Sequence, residues 1–157
     1  MTVWIRSVRA EVVRPLRAAV LRPGLPLEQS VYPQDDLPST LHLAALDPEG
    51  RVVGGATFFP EPLDGVPAWR LRGMATDPGV RGTGVGVRLL DAGLTAAVAA
   101  GVPLVWCNAR TSAIGFYRRA GFAVVSDEFP AVSGIPHVVM RLALPPVDGV
   151  GPPAAGP

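Results

Sequence analysis

The feature that most confines this chain is a change of period across a glycine loop. In AWRLRGMATDPGVRGTGVGVRLLDAGLTAAVAAG, residues 68–101, the first stretch alternates. Trp69, Leu71 and Gly73 fall on one side and Arg70, Arg72 and Met74 on the other, the period of a β-strand. After the glycines the aliphatic residues return at helical spacing, which predicts a helix over 86–100 closed by Gly101 in a left-handed cap. Between the two, Gly82, Gly84 and Gly86 alternate directly after Arg81. A helix entered through such a loop presents free N–H groups and the positive end of its dipole. That is an anion site. Glycine lets successive N–H groups turn inward and lets a phosphate approach without meeting a Cβ, while Arg81 adds a full charge. The guest expected is a phosphate or pyrophosphate. The spacing G-x-G-x-G is not the dinucleotide fingerprint, no acidic residue ends a strand about 20 residues on, and no Gly-Lys-Ser/Thr follows. On this segment alone, a glycine turn that merely caps a helix remains an equal reading.

The remainder alternates strand and helix signals without an internal repeat. Val3, Ile5 and Val8 suggest a first strand, and Glu11 to Leu21 a helix that must hold Pro15 in its first turn or kink there. Residues 22–39, RPGLPLEQSVYPQDDLPS, carry four prolines and a glycine, so a loop with at most one short helical turn is expected. LHLAALD and VVGGATFF, joined by Pro48-Glu49-Gly50, read as a hairpin with AWRLRGMAT as a third antiparallel partner. PLVWCN is a buried strand, Ser112 to Ala120 a helix ended by Gly121, and FAVVS and HVVMRLAL further strands. Residues 1–144 form one domain on this reading, and the Pro/Gly-rich tail, 145–157, has too little to bury and is expected to be disordered.

Composition limits the function. With 157 residues, 48% of them hydrophobic, the chain can bury a full core unaided. One cysteine, Cys107, precludes an internal disulfide, and one cysteine with two histidines is too few for a zinc cluster, so no metal is expected. No segment reaches the roughly 18 uninterrupted apolar residues of a membrane span. A soluble, cytoplasmic protein with no membrane partner is the expectation. The net charge is +1, all basic side chains are arginine, and they are interspersed with acids, which argues against a nucleic-acid partner.

NARTSAIGFYRRAGF, Asn108 to Phe122, follows a short apolar strand. Four pieces occur in order: a strand ending MATDP, the Arg81–Gly86 loop, an asparagine at a strand end, and Phe116-Tyr117 followed by Gly121-Phe122. In that ordered combination the chain resembles the GNAT superfamily of acyl-coenzyme A dependent N-acetyltransferases over about residues 40–143. GIPHVVM, Gly134 to Met140, further resembles the ending of a bacterial subgroup. The resemblance implies an α/β (α+β) fold, a mixed, mostly antiparallel sheet with a splayed parallel central strand pair flanked by helices. It implies acetyl-coenzyme A as co-substrate and a small-molecule or peptide amine as acceptor, with the chain acting as monomer or homodimer.

Residue by residue, the resemblance gives the pyrophosphate to Arg81, Gly82, Thr83, Gly84, Val85 and Gly86, and the pantetheine arm to main-chain groups of Met74, Ala75 and Thr76. Asn108 binds the co-substrate or lines its slot. Gly73 fits a bulge that begins the splay, with an ordinary strand glycine packed under a tryptophan as the alternative. Acyl transfer needs a neutral nucleophile, a stabilised oxyanion and a proton for the departing thiolate. Tyr117 matches the family position for that proton donor, against a core aromatic with a satisfied hydroxyl. The oxyanion falls to N–H groups near Met74 or Ala75. Many members place a glutamate on the strand before the loop, but AWRLRGMAT has no carboxylate. His137, with Glu128 second, is the candidate base, and a structural histidine is the alternative. His42 reads as a satisfied core or sheet-face histidine, and Cys107 as a buried strand residue. Glu28, Asp35, Asp36, Asp127 and Glu128 are expected either to form an acidic rim that draws in a cationic amine or to be plain solvated acids. A non-catalytic acyl-coenzyme A sensor is the second functional reading, motivated by the missing strand glutamate.

Overall fold

The structure, a computed structural model, describes residues 1–131 and 133–146. Among the described residues eight strands form one sheet in the order β1-β2-β3-β4-β5-β8-β6, with β7 beside β8. They are β1 (Trp4–Val8), β2 (Leu41–Leu46), β3 (Val52–Pro60), β4 (Trp69–Thr76), β5 (Leu104–Arg110), β6 (Ala123–Val124), β7 (Phe129–Pro130) and β8 (Pro136–Ala143). The helices are α1 (Ala10–Leu21), α2 (Val85–Ala99) and α3 (Ile114–Arg119). This is a mixed, mostly antiparallel α/β sheet with β4 and β5 as its parallel pair, flanked by helices. The chain divides into two compact units, one of Met1–Pro60 with Leu71–Gly93, the other of Glu61–Arg70 with Leu94 onward.

In the first unit, β1 and β2 pair antiparallel from Trp4 opposite Leu46 to Val8 opposite His42, and β2 continues into the expected hairpin with β3. The turn between them is held by Asp47, whose Oδ1 accepts from the Glu49 and Arg51 N–H groups, with Gly50 at φ +81°. Two adjacent glycines on β3 explain how helices pack on both faces of a strand. Successive side chains point to opposite sides. A Cβ on Gly54 would lie 2.7 Å from Leu89 of α2, and one on Gly55 would lie 3.3 Å from Val13 of α1. Gly93 meets the same closeness, because its own Cβ would lie 2.0 Å from Phe58 Cζ. Pro15 sits inside α1 without ending it. The proline-rich segment holds one 3-10 turn, Leu27–Ser30, as its composition predicts.

In the second unit, β5 and β8 run antiparallel over their whole length, with Asn108 opposite Val139 and Arg110 opposite His137. Trp106 packs with Ala68 and Leu104, and its indole N–H donates to the Glu61 carbonyl at 2.9 Å. The helix expected over Ser112–Ala120 is a 3-10 turn, Thr111–Ala113, leading into α3. FAVVS supplies only the two residues of β6, while β7 carried no signal in the sequence. Both helical stop signals hold. Gly101 N–H bonds to Val98 O and Val102 N–H to Ala97 O, and at α3 Gly121 N–H bonds to Arg118 O and Phe122 N–H to Tyr117 O. Each is the paired pattern of a Schellman cap with its glycine at positive φ. Of the expected tail 145–157, all but Pro145 and Pro146 lies outside the described residues.

Candidate functional site

The glycine loop opens with Asp77, whose Oδ1 accepts from Gly79 N–H at 2.8 Å and starts a 3-10 turn, Pro78–Val80. Val80 and Val85 are both buried and pin the two ends. The four residues between them, Arg81, Gly82, Thr83 and Gly84, are exposed. Thr83 turns its hydroxyl back onto the Val80 carbonyl. Gly82 and Gly84 stand at φ +80° and +88°, and a Cβ on either would meet nothing within 4 Å. Glycine is therefore required here by backbone conformation, not by crowding from the protein, and the space above it is open. The helix begins at Val85, one residue earlier than its pattern suggests, so Gly86 belongs to its first turn. Gly84 precedes it and has no side chain with which to cap, so the first-turn N–H groups have no local acceptor from that residue. The arrangement fits a phosphate or pyrophosphate: glycine main chain under open space, a helix N-terminus and the Arg81 guanidinium on one exposed loop, although the Arg81 and Thr83 N–H groups donate within it to Pro78 and Val80.

On β4, Met74 and Thr76 are half-buried and Ala75 is buried. Gly73 stands at φ +67° in the strand interior, which marks the expected irregularity. Its neighbours differ from the expectation of a tryptophan: a Cβ there would lie 2.9 Å from Arg17 Nε and 3.4 Å from the Tyr32 ring.

In the second unit, the Schellman cap of α3 accounts for the spacing of Phe-Tyr and Gly-Phe. Tyr117 is the residue whose carbonyl accepts from Phe122, and a hydrophobic contact between those two positions commonly accompanies the motif. Here the two rings meet edge to face at 5.4 Å, and Phe116 adds a second such contact at 5.0 Å. Tyr117 is 6% exposed. Its hydroxyl shares a hydrogen bond with the Cys107 thiol, and burial above all, then Cys107, pushes its pKa well above the ordinary value. Cys107 is also buried, and burial pushes its thiol up to about 12 against the opposing effects of Tyr117 and Arg70. Burial favours the neutral form of both groups, so Tyr117 keeps its proton as pH rises and Cys107 is not a thiolate nucleophile. Asn108 is half-buried on β5. His137, half-buried at the start of β8, stacks on Phe129 and has Nδ1 2.6 Å from the Ile135 carbonyl. A carbonyl only accepts, so Nδ1 carries a proton, and in the neutral ring Nε2 is the acceptor nitrogen. Glu128 is exposed in the loop before β7.

Two sequence expectations resolve differently for the remaining polar residues. His42 is the satisfied histidine foreseen: Nε2 donates to the Asp35 carbonyl, and Nδ1 accepts from the Thr57 hydroxyl, both at 2.8 Å. Asp35 is not on any rim. It is 4% exposed and ion-paired with Arg17 at 2.9 Å and Arg14 at 3.2 Å. Burial works to raise its pKa, but hydrogen bonds from Arg17, the Tyr32 N–H and Arg14, with the Arg17 charge, hold it below the ordinary carboxylate range. A neutralised carboxylate cannot steer a substrate, and of the proposed rim Glu28, Asp36, Asp127 and Glu128 remain exposed. Sequence reasoning missed this cluster because its members lie up to 40 residues apart.

The mixed, mostly antiparallel sheet with its parallel pair and flanking helices is the fold that the sequence resemblance implied. The chain belongs to the acetyltransferase (GNAT) family, whose model matches residues 8–122. It is 31% identical over 143 residues to the uncharacterized N-acetyltransferase YitI of Bacillus subtilis (strain 168), covering 89% of this chain and 95% of the relative. Its fold is similar to an acyl-CoA N-acyltransferase from Pseudomonas aeruginosa (TM-score 0.73, 21% identity, 89% of this chain and 99% of that one). It is likewise similar to an aminoglycoside 6'-N-acetyltransferase complexed with coenzyme A (TM-score 0.70, 14% identity, 91% and 98%). Among the described residues there is no group of three or more potential metal ligands and no helix long and apolar enough to cross a membrane.

Proposed function

We propose that this protein transfers an acetyl group from acetyl-coenzyme A to a primary amine, by direct attack in a ternary complex. The observation that carries the reading is the Arg81–Gly86 loop, with two left-handed glycines under open space at the start of α2. Its N–H groups and Arg81 receive the pyrophosphate, while the main chain of Met74 to Thr76 and the Asn108 amide receive the pantetheine arm. The amine nitrogen attacks the thioester carbonyl carbon, a C–N bond forms, and main-chain N–H groups near Met74 or Ala75 take the oxyanion. The nitrogen loses its proton to His137 Nε2, with Glu128 as the second candidate. The C–S bond then breaks and the Tyr117 hydroxyl protonates the departing sulfur. Direct attack is favoured over an acyl-cysteine because Cys107 is buried and its thiol is pushed up to about 12. The acceptor is a small-molecule or peptide amine, and a G-I-P-H segment that leads into β8 and carries the base is part of this reading. The cytoplasm, where acetyl-coenzyme A is made and used, is the compartment it fits.

One observation supports a second reading: no carboxylate occurs on Trp69–Thr76, where a base is common in the family, which suits a sensor that binds acyl-coenzyme A without turning it over. A thiol-release assay with acetyl-coenzyme A and a broad amine panel separates the two. Turnover above the hydrolysis blank with at least one amine is expected. Tight binding by calorimetry without release on any amine would select the sensor.

A further inference from the structure

The first unit contains a buried cationic cluster that the reaction above does not use. Arg17, on α1, is 2% exposed. Its Nη1 donates to the Ser30 carbonyl at 2.8 Å and to Asp35 Oδ2 at 2.9 Å, and its Nη2 donates to the Thr57 hydroxyl at 2.8 Å. Its guanidinium lies 3.9 Å from the centre of the Tyr32 ring, and that ring also meets the Arg72 guanidinium at 3.8 Å. Tyr32 belongs to the proline-rich segment and Arg72 to β4, so the cluster ties α1 and that segment to β4. Filling such a space with charge is costly. A hydrophobic side chain of similar volume would serve stability as well or better. What only a guanidinium supplies is a flat, rigid plate fixed on several sides at once.

That plate meets Gly73. The Arg17 Nε is a buried nitrogen without a hydrogen-bond partner, and it stands 2.9 Å from the point where a Cβ of Gly73 would be. Gly73 is the one residue inside a strand at positive φ among the described residues, and it directly precedes Met74 and Ala75. Resting on the acyl-transfer reading, we infer that Arg17 is a positioning residue. Its guanidinium, locked by Asp35 and Thr57 and stacked on Tyr32, supports the left-handed kink at Gly73 and so aims the main chain of Met74 and Ala75 at the oxyanion. The kink carries no strain for glycine, but a strand interior does not select it unaided. Without the plate beneath it, β4 relaxes toward regular extended geometry and swings the next two N–H groups.

The test uses two variants of the full chain. Arg17→Met with Asp35→Leu removes the ion pair without leaving a lone buried charge, and Arg17→Lys keeps the cation while losing the planar stack. Both are read by kcat, by KM for acetyl-coenzyme A and by amide hydrogen exchange along β4. A misaim of about 1 Å is expected to lower kcat roughly tenfold to a hundredfold. KM for acetyl-coenzyme A should stay within about twofold, because the loop that binds pyrophosphate is untouched, and exchange at residues 73–76 should speed up at least tenfold relative to the other strands. Arg17→Lys should show the same split, and it decides the matter if the double variant does not fold. A role in stability alone predicts a lower Tm with kcat within twofold of the parent, and that result overturns the inference. If the parent releases no thiol with any amine, the acyl-transfer reading has failed, and exchange at residues 73–76 then decides alone whether Arg17 holds the kink.

Discussion

Glycine does opposite work in two parts of this molecule. At Gly82 and Gly84 the left-handed backbone opens the start of a helix and leaves bare main chain under open space. At Gly101 and Gly121 the same backbone angle closes the end of a helix and uses up its carbonyls in paired hydrogen bonds. Both ends of an α-helix have four unmet backbone groups. The C-terminal ends here satisfy two carbonyls apiece through the cap, which gives stability. The N-terminal end of α2 has no side chain at Gly84 with which to cap, which leaves capacity for a ligand. An unmet set of donors on an exposed loop costs little, because water serves them until an anion displaces it.

This contrast predicts that substitution at the open end destroys binding and spares stability. Gly84→Asp brings a side chain to φ +88°, projects it into the space proposed for pyrophosphate, and adds a repelling charge. Affinity for coenzyme A should fall by about a thousandfold, taking steric exclusion from that space and like-charge repulsion together as roughly 4 kcal/mol. Calorimetry showing unchanged affinity would remove the loop from the site. Thermal unfolding should shift by no more than the few degrees that a left-handed backbone costs, since nothing packs above that position.

The closed end of α3 carries chemistry only through the residue it locks. Tyr117→Phe preserves the edge-to-face contacts with Phe116 and Phe122 and removes one hydroxyl. It should lower kcat about a hundredfold with coenzyme A affinity within twofold. Because burial holds the phenol well above its ordinary pKa, Tyr117 stays protonated as pH rises, and the kcat profile should show no falling limb from it up to about pH 10. A loss of both affinity and Tm, with kcat intact in the surviving protein, would make Tyr117 a core residue and nothing more.

The legibility of these parts in the sequence follows the same division. Strand and helix order, the hairpin, the glycine loop and both glycine stops are local patterns, and local patterns survive in a one-dimensional reading. The boundary at Val85 and the brevity of β6 were missed by a few residues, as hydrogen bonding at element ends depends on what lies opposite. Asp35 was misread outright. In sequence it sits between a glutamine and another aspartate in a proline-rich loop, with every mark of a solvated acid. What buries it is Arg17, 18 residues away on α1, while Thr57, 40 residues from Arg17, completes the set. No periodicity or motif encodes a meeting of that kind. The tautomer of His137 was equally invisible, because it is fixed by a backbone carbonyl two residues earlier in a turn whose shape no propensity specifies.

Gly121→Ala tests whether a closed end can also reach the chemistry. Alanine at φ +100° is strained, and its Cβ would lie 3.2 Å from Leu142 Cδ1, so a loss of about 2 kcal/mol is expected. Relaxing the cap would also disturb the Phe122 ring that holds Tyr117, and kcat should fall a few-fold. Unchanged kcat in the destabilised variant would mean that Tyr117 does not depend on its cap.

Gly101→Ala is the matching control and the smallest effect. The cap geometry is the same, with φ +76°, but a Cβ there meets nothing within 4 Å. Left-handed strain costs about 1–2 kcal/mol, while alanine restricts the unfolded chain and returns roughly 0.4–1 kcal/mol. The net loss is therefore about 1 kcal/mol, or roughly 2–4 °C in Tm for a chain of this size. Asparagine tolerates the left-handed region better than alanine, so Gly101→Asn should lie between the parent and Gly101→Ala. Neither variant should change kcat or coenzyme A affinity, since Gly101 closes the far end of α2 from the glycine loop. A kinetic change in Gly101→Ala comparable with that in Gly121→Ala would show that any loosened helix slows the reaction, and the special dependence of Tyr117 on its own cap would be lost.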